Sequence, residues 1–165
     1  MVSYKKSTSE RGKFKNKIHN ALYKSDDIKD LLLGDISGKS ASEVRKLFKE
    51  RVKSHLFIDE TIKDTNSYIY YDIRMPRLHE NTKNCEIILY AVSHRDILDN
   101  YSKEGYYGNR ADILSQMIEN CLICDEDVAR GFGIGNLKLD SVEIFNGRTL
   151  YGCQMTFSVP NFRWN

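Results

Sequence analysis

Two stretches of regular hydrophobic alternation stand out in the chain, both within the segment from Tyr68 to Leu98. In the first, apolar side chains recur at positions 69, 71, 73 and 75, and this period of two predicts a β-strand with one buried face. The second stretch, Cys85 to Val92, is apolar at both alternating sets of positions, which is typical of a central strand covered by a helix. Pro76 lies between the two stretches and cannot donate to a strand ladder, so we expect the first strand to end there. The pattern predicts a β-hairpin.

Three helices are predicted before this hairpin. Residues 1–12 are polar and lack periodicity, so we expect them to be disordered and the first helix to begin after them. Ser25 is suited to cap the second helix, which Gly34 would end. Ser40 and Glu43 have the spacing of a capping box for a third helix, expected to end near residue 54, and residues 55–58 are compatible with a short strand. The expected buried stripes are Phe14, Ile18, Ala21 and Leu22, then Ile28, Leu31 and Leu32, and finally Val44, Leu47 and Phe48.

A fourth helix follows a polar loop at residues 99–109. Asn109 is suited to cap this helix, with Asp112 at its third position. The helix has a broad apolar face, which must cover a sheet. The residues of that face are Ile113, Leu114, Met117, Ile118, Cys121 and Leu122.

A second hairpin is predicted in the C-terminal third. The alternation changes phase between Leu139 and Val142, which indicates a β-bulge near residues 140–141. Asn146 and Gly147 form a strong hairpin-turn signal, because both tolerate positive φ. The return strand alternates regularly from residue 150 to residue 159, and we expect Pro160 to end it.

These elements predict the α+β fold class, with a mixed or antiparallel sheet of two β-hairpins packed against a helix and an N-terminal helical extension. The 165 residues, 41% of them hydrophobic and 29% charged, suit one ordinary globular domain. We therefore expect a flexible basic arm at residues 1–12 and a single domain at 13–165, with a helical part at 13–54 and a sheet–helix core at 55–165. No apolar run is long enough to cross a membrane.

The four cysteines, at positions 85, 121, 124 and 153, are interpreted as buried or partly buried thiols of a reducing compartment. The N-terminus lacks the apolar core of a secretory signal, so we expect no export by that route and no disulfides.

Positive charge is concentrated at the N-terminus. Residues 1–24 contain seven lysine and arginine residues and one glutamate, whereas the whole chain has a net charge of +2. A basic arm on a mildly acidic body could contact nucleic acid or the acidic surface of a partner protein. The interface candidates in this arm are Lys5, Lys6, Lys13 and Lys15.

Aromatic residues provide a second group of interface candidates. The loop at 99–109 carries Tyr101, Tyr106 and Tyr107, and exposed tyrosines on loops are often contact residues. Phe162 and Trp164 follow the predicted end of the last strand. They would either fold back on the domain or insert into a neighbouring molecule.

Signs of catalytic chemistry are sparse. Cys121 and Cys124 have the spacing of half a zinc site, but the chain has no second half-site. Asp72 and Glu86 on adjacent strands could imitate the acidic pair of a metal-dependent nuclease, although Ile88 occupies the position where such a site needs a lysine. We therefore expect no enzyme, metal or cofactor site, and keep a nuclease and a nucleic-acid-binding module as alternatives.

Several segments together resemble the tail terminator and tail completion proteins of tailed bacteriophages. These are YIYYDIRMP with its polar turn, CEIILYAVSH, ADILSQMIENCLI and KLDSVEIFNGRTLYGCQMTFSV. The resemblance covers roughly residues 56–160 and lies in the order of the elements and in the two hairpins. The helices before residue 56 are longer than the minimal core of that family.

The resemblance implies a structural virion protein without a catalytic site. Members form a hexameric ring that ends the tail tube and joins the tail to the head connector or stopper protein, in the neck of the virion. The expected partners are other copies of the chain, the tail tube protein and the connector, and DNA would pass through the ring without specific recognition. Assembly would take place in the host cytoplasm. The basic arm would then line the DNA passage or hold a neighbouring subunit, and we favour the neighbour.

Overall fold

The structure is a computed structural model that describes residues 7–78, 82–131 and 136–163. Its helices are α1 (Ser7–Lys24), α2 (Asp26–Leu33), α3 (Ala41–Arg51), α4 (Arg110–Glu119) and α5 (Glu126–Arg130). Its strands are β1 (Val52–Lys53), β2 (Ser67–Leu78), β3 (Thr82–His94), β4 (Lys138–Asn146) and β5 (Leu150–Arg163). A π-helical turn, Asn120–Cys124, connects α4 to α5. None of the described helices is both long and apolar enough to cross a lipid bilayer.

The strands form one five-stranded sheet in the order β1-β2-β3-β5-β4. β1 is parallel to β2, and the other neighbours are antiparallel. The predicted α+β class and both hairpins are therefore confirmed. β3 lies at the centre of the sheet, as its apolar residues on both faces predicted.

The helices and one face of the sheet share a single hydrophobic core. Ile18 of α1, Ile28 of α2 and Phe48 of α3 are fully buried, together with Leu89 of β3 and Phe157 of β5. The apolar stripes predicted for all four helices are confirmed, except that Leu47 and Cys121 are only partly buried. The N-terminal helices therefore add to the main core and do not project from it.

The predicted helix caps are confirmed at three helices. The side chain of Ser25 accepts a hydrogen bond from the backbone of Ile28, and capping boxes form at Ser40 and at Asn109. The start of α1 differs from the expectation, because the helix begins at Ser7 and not after residue 12. Residues 1–6, the rest of the arm that was expected to be disordered, lie outside the described part of the chain.

β2 is buried on both faces at its start, so the expectation of one buried face is wrong there. Tyr68 and Tyr70 are buried on the face away from the main core, where Ile58 and Ile62 pack against them. The short strand expected at residues 55–58 is also wrong. Residues 52–53 form that strand instead, and Phe57 is 73% exposed.

Neither proline ends its strand. β2 continues past Pro76 to Leu78, and β5 continues past Pro160 to Arg163. The register of β2 on β3 shifts between residues 74 and 77, and that of β3 on β5 shifts between residues 83 and 85. Each proline thus lies at a β-bulge, where a missing backbone donor does not interrupt the ladder.

The second hairpin has the predicted bulge, between Leu139 and Ser141. Its turn is displaced from the pair that was expected to form it, because Asn146 and Gly147 both precede the tip of the turn at residues 148–149. Asn146 pairs with Tyr151, and the N–H of Gly147 donates to the carbonyl oxygen of residue 150.

Candidate functional site

β4 is the free edge of the sheet, and it carries the candidate site. This strand pairs with β5 alone among the described strands, so the outward backbone groups of β4 have no strand partner in that part of the chain. Exposed edges of this kind are templates for pairing with another chain. The free edge is therefore a place where the protein can associate through its main chain.

Two apolar side chains of β4 are left uncovered by the helices. Val142 lies opposite Met155, and Ile144 lies opposite Cys153. Because directly opposed residues share a face, both point to the side on which Met155 is buried in the core. Yet Val142 is 56% exposed and Ile144 is 79% exposed. The reason is that the main contacts of α4 with the sheet are to β3 and β5.

The other face of β4 is covered at Phe145, which is partly buried. Phe145 packs edge-on against Tyr90, with ring centroids 5.3 Å apart. Both rings pack against the second apolar cluster, which contains Tyr68 and Tyr70 and also includes Ile58 and Ile62. The remaining exposed positions of β4 are polar or charged, at Lys138, Asp140, Glu143 and Asn146. Charged residues and a bulge on an edge strand limit uncontrolled pairing. The apolar pair Val142 and Ile144, which we call the β4 patch, is the part of the edge suited to a specific contact.

The opposite edge of the sheet is covered by α1. β1 pairs with β2 only as far as Tyr70. Beyond that point, Oδ1 of Asp72 accepts the N–H of Ile73 at 2.7 Å, and Nε of Arg11 donates to the carbonyl oxygen of Ile73 at 2.7 Å. These contacts satisfy both outward backbone groups of Ile73, where β2 has no neighbouring strand among the described ones. The two sheet edges therefore differ in their capacity to bind a partner.

Asp72 is held by two cations of α1. Its carboxylate pairs with Arg11 and with Lys15, whose Nζ lies 2.9 Å from Oδ1. Partial burial raises the pKa of Asp72, but the hydrogen bonds from Lys15 and Ile73 and the charges of Lys15 and Arg11 outweigh it, so the pKa lies below its ordinary value. Its carboxylate is thus engaged in holding the sheet edge.

The second acid of the nuclease alternative is also engaged. Glu86 lies opposite Arg74 on β2, and Nε of Arg74 is 3.0 Å from Oε2 of Glu86. In the described parts of the chain, no group of three or more histidine, cysteine, aspartate and glutamate residues could hold a metal ion. Within the described residues, the nuclease alternative is therefore not supported by a metal site.

The expectation for the cysteines is correct at three positions and wrong at one. Cys85 is buried, and Cys121 and Cys153 are partly buried. Burial raises the pKa of both Cys85 and Cys121 to about 11. Cys124 is exposed.

The candidates in the basic arm have different environments. Lys5 and Lys6 lie outside the described residues. Lys13 is exposed on α1, whereas Nζ of Lys15 also donates to the carbonyl oxygen of Ser54 at 2.8 Å. Lys15 is therefore a structural contact between α1 and the segment after β1, and Lys13 is the candidate left free for a partner.

The tyrosine loop is attached to α2. The hydroxyl of Tyr101 donates to Asp30 at 2.7 Å, and that of Tyr106 donates to Asp27 at 2.5 Å. Both rings are partly buried against the main core, so the expectation that they are exposed is wrong. Tyr107 is 78% exposed, and it remains the candidate contact residue of this loop.

The C-terminal candidates are only partly described. Phe162 belongs to β5 and pairs through its backbone with Lys83, so the expectation that it lies outside any strand is wrong. Trp164 lies outside the described residues.

Sequence reasoning missed the β4 patch and Phe57. Alternation correctly placed Val142 and Ile144 in a strand, but it does not tell which strands a helix covers. The sequence carries no direct signal for this, because the position of α4 across the sheet depends on packing between distant elements.

Comparison with known proteins gives one result. The sequence model of a protein family named YomW matches residues 16–159, a range that runs from the middle of α1 into β5. A search of curated proteins found no match.

Proposed function

The chain belongs to the YomW family, whose name is phage-related, and from this premise we propose that it is a structural protein of a phage neck. In this proposal, copies of the chain form a ring that ends the tail tube and joins the tail to the head connector or stopper protein. The ring acts through its shape and its contacts, and DNA passes through it without specific recognition.

The observation that supports self-association is the free edge of β4 with the β4 patch. Burying two such aliphatic side chains removes apolar area from water, at roughly 25 cal/mol for each Å². An additional strand on the edge of β4 would satisfy its outward backbone groups and cover the patch at the same time. Burial of the β4 patch and pairing of the backbone groups both favour binding of an extended or apolar segment at this edge.

The opposite edge supports a head-to-tail arrangement. Arg11 and Asp72 already cover the edge of β2, so β4 of one copy would not pair there by continuing the sheet. The exposed Phe57, in the segment that follows β1, offers an apolar surface of its own. Contact between two different surfaces of the same chain is heterologous, and such contacts generate rings when the rotation closes.

A ring of this kind could present different loops on its two faces. One set would contact the last ring of the tail tube, and the other would face the connector. No catalytic step is part of this role. The proposed location is the neck of the virion.

The proposal is tested by mixing the protein with polymerising tail tube protein and measuring tube lengths by electron microscopy. We expect short tubes of defined length that carry the protein at one end. Sedimentation of the protein alone should give one discrete oligomer larger than a dimer. A dimer would indicate a two-fold contact of β4 with β4, and would contradict the ring.

A pair of variants connects the test to the β4 patch. Ile144→Asp places a charge in the patch and should abolish both the oligomer and the capped tubes. Ser42→Asp adds the same charge at an exposed position in the first turn of α3, where the helix dipole favours it. This control should behave as the wild type does. Tubes of unlimited length with the wild-type protein would refute the proposed function.

A further inference from the structure

A basic cleft lies between α1, α3 and β1, away from the β4 patch. Its volume is about 630 Å³, within the range of ligand sites in proteins. It is open to solvent, and Tyr71 of β2 and the residues after β1 complete its walls. The titratable residues among its described walls, apart from the buried Tyr71, are Lys15, His19, Lys49, Lys53 and His55.

No carboxylate belongs to the described lining of this cleft. The carboxylate in contact with it is Asp72, which pairs with Lys15 and Arg11. Lys49 and Lys53 form no ion pair or hydrogen bond with the described residues. Two lysine charges therefore remain uncompensated in the lining of one concave surface.

His19 shows that this charge reaches into the cleft. Burial lowers the pKa of His19, and the charge of Lys49 lowers it further. The imidazole packs edge-on against Phe48, with ring centroids 5.4 Å apart, which fixes its position. At neutral pH the ring is therefore mostly uncharged, and it would respond to any anion that enters beside Lys49.

We propose that this cleft binds a phosphate group between Lys49 and Lys53. Phosphate can accept hydrogen bonds from both ammonium groups, and its negative charge offsets theirs. The group could belong to free inorganic phosphate or to the backbone of a nucleic acid, which present the same chemistry. This inference concerns a different surface from the β4 patch and does not depend on ring formation.

The first measurement uses His19 as a reporter. We follow the four histidines by NMR through a pH titration, with inorganic phosphate or with chloride at equal ionic strength, and assign His19 from the spectrum of His19→Gln. Bound phosphate should raise the pKa of His19, because the anion stabilises the protonated ring. In K49Q/K53Q the phosphate-dependent rise should disappear, even though loss of the Lys49 charge raises the starting pKa.

The second measurement distinguishes the source of the phosphate. Binding of a labelled oligonucleotide is measured by fluorescence anisotropy at several salt concentrations. Each lysine that contacts a backbone phosphate contributes about one unit to the slope of log K against log salt. K49Q/K53Q should therefore reduce that slope by about two. Lys46→Gln is the control, because Lys46 is exposed on α3 and does not line the cleft.

The outcomes of the two measurements identify the source of the phosphate or contradict the proposal. A rise of the His19 pKa without oligonucleotide binding assigns the cleft to free phosphate. A rise together with a slope that K49Q/K53Q reduces assigns it to a nucleic acid backbone. No phosphate-dependent rise, or a loss of binding in Lys46→Gln as large as in K49Q/K53Q, overturns the proposal. Equal thermal unfolding midpoints of all variants would show that the fold is intact.

Discussion

Arg11 of α1 binds the backbone of Ile73 on β2, with 2.7 Å between Nε and the carbonyl oxygen. The guanidinium also pairs with Asp72, which in turn accepts the N–H of Ile73. A side chain from the first helix thus takes the place of a strand partner at Ile73, beyond the point where β1 ends. Covering this edge leaves β4 as the edge suited to pairing.

We expect Arg11→Ala to lower the free energy of unfolding by about 1 kcal/mol, because one backbone hydrogen bond and a partly exposed ion pair are lost. Arg11→Lys keeps the charge but lacks the Nε donor, so it should fall between the alanine variant and the wild type. Urea unfolding measures all three. Lys13→Ala, at an exposed position of the same helix, should change stability by less than about 0.5 kcal/mol. Equal stability of Arg11→Ala and the wild type would show that water covers the edge equally well.

The attachment of the tyrosine loop to α2 should depend on pH. Hydrogen bonds from Tyr106 and Lys103 hold the pKa of Asp27 below its ordinary value of 3.8. A carboxyl whose pKa is lower in the folded chain stabilises the fold above its unfolded pKa, and this contribution is lost as the pH falls through the folded value. The stabilisation should therefore be complete near neutral pH and disappear in strong acid.

Tyr106→Phe tests this dependence, since it removes the hydrogen bond that contributes most to the lowered pKa of Asp27. We expect the wild type to be more stable than Tyr106→Phe by about 1 kcal/mol near neutral pH. The difference should shrink as the pH is lowered from about 5 to about 2 in urea unfolding experiments. Tyr107→Phe is the control, because Tyr107 is exposed and its hydroxyl makes no hydrogen bond with the described residues. If the difference in stability between the wild type and Tyr106→Phe does not change with pH, Asp27 is not its source.

The sequence predicted those features that depend on neighbours in the chain. The capping boxes at Ser40 and Asn109 involve residues three positions apart, so their pattern is complete in the sequence. The central position of β3 followed from its apolar residues on both faces. The bulge near Ser141 was visible as a change in the phase of alternation.

Features that depend on distant parts of the chain were not predictable in this way. The sequence cannot show that the registers of β2 and β5 shift at Pro76 and Pro160, which lets both strands continue. The partners of Tyr101 and Tyr106 are acids more than 70 positions earlier in the chain. The exposure of Ile144 depends on where α4 lies across the sheet. All of these are consequences of packing between elements, which override local signals.

Two glycines should respond in opposite ways to alanine. A Cβ on Gly12, inside α1, would meet no atom within 4 Å, so Gly12→Ala should stabilise the protein by about 0.5–1 kcal/mol through its helix propensity. A Cβ on Gly152 of β5 would lie 1.9 Å from the carbonyl oxygen of Ala91. Because that atom belongs to the backbone of the central strand, Gly152→Ala should be strongly destabilising. Thermal unfolding measures both variants, and a stable Gly152→Ala would contradict the close approach of β3 and β5.

The last prediction compares two isoleucines that differ only in their surroundings. Ile118 of α4 is completely buried, whereas Ile144 of β4 is 79% exposed. Ile118→Ala should lower the free energy of unfolding by about 2–5 kcal/mol, the usual effect of emptying a buried aliphatic site, and Leu114→Ala should do the same. Small effects at both Ile118 and Leu114 would mean that α4 does not cover the sheet as described.

Ile144→Ala should instead have an effect that depends on protein concentration. In dilute solution, where single copies dominate, we expect a change of less than about 0.5 kcal/mol. If a second copy covers Ile144, the wild type gains stability with increasing concentration through mass action, and the variant gains less. The gap between the two unfolding midpoints should then widen as the concentration is raised. A gap that stays small at every concentration would mean that self-association does not bury Ile144, and the interface would have to lie elsewhere on the molecule.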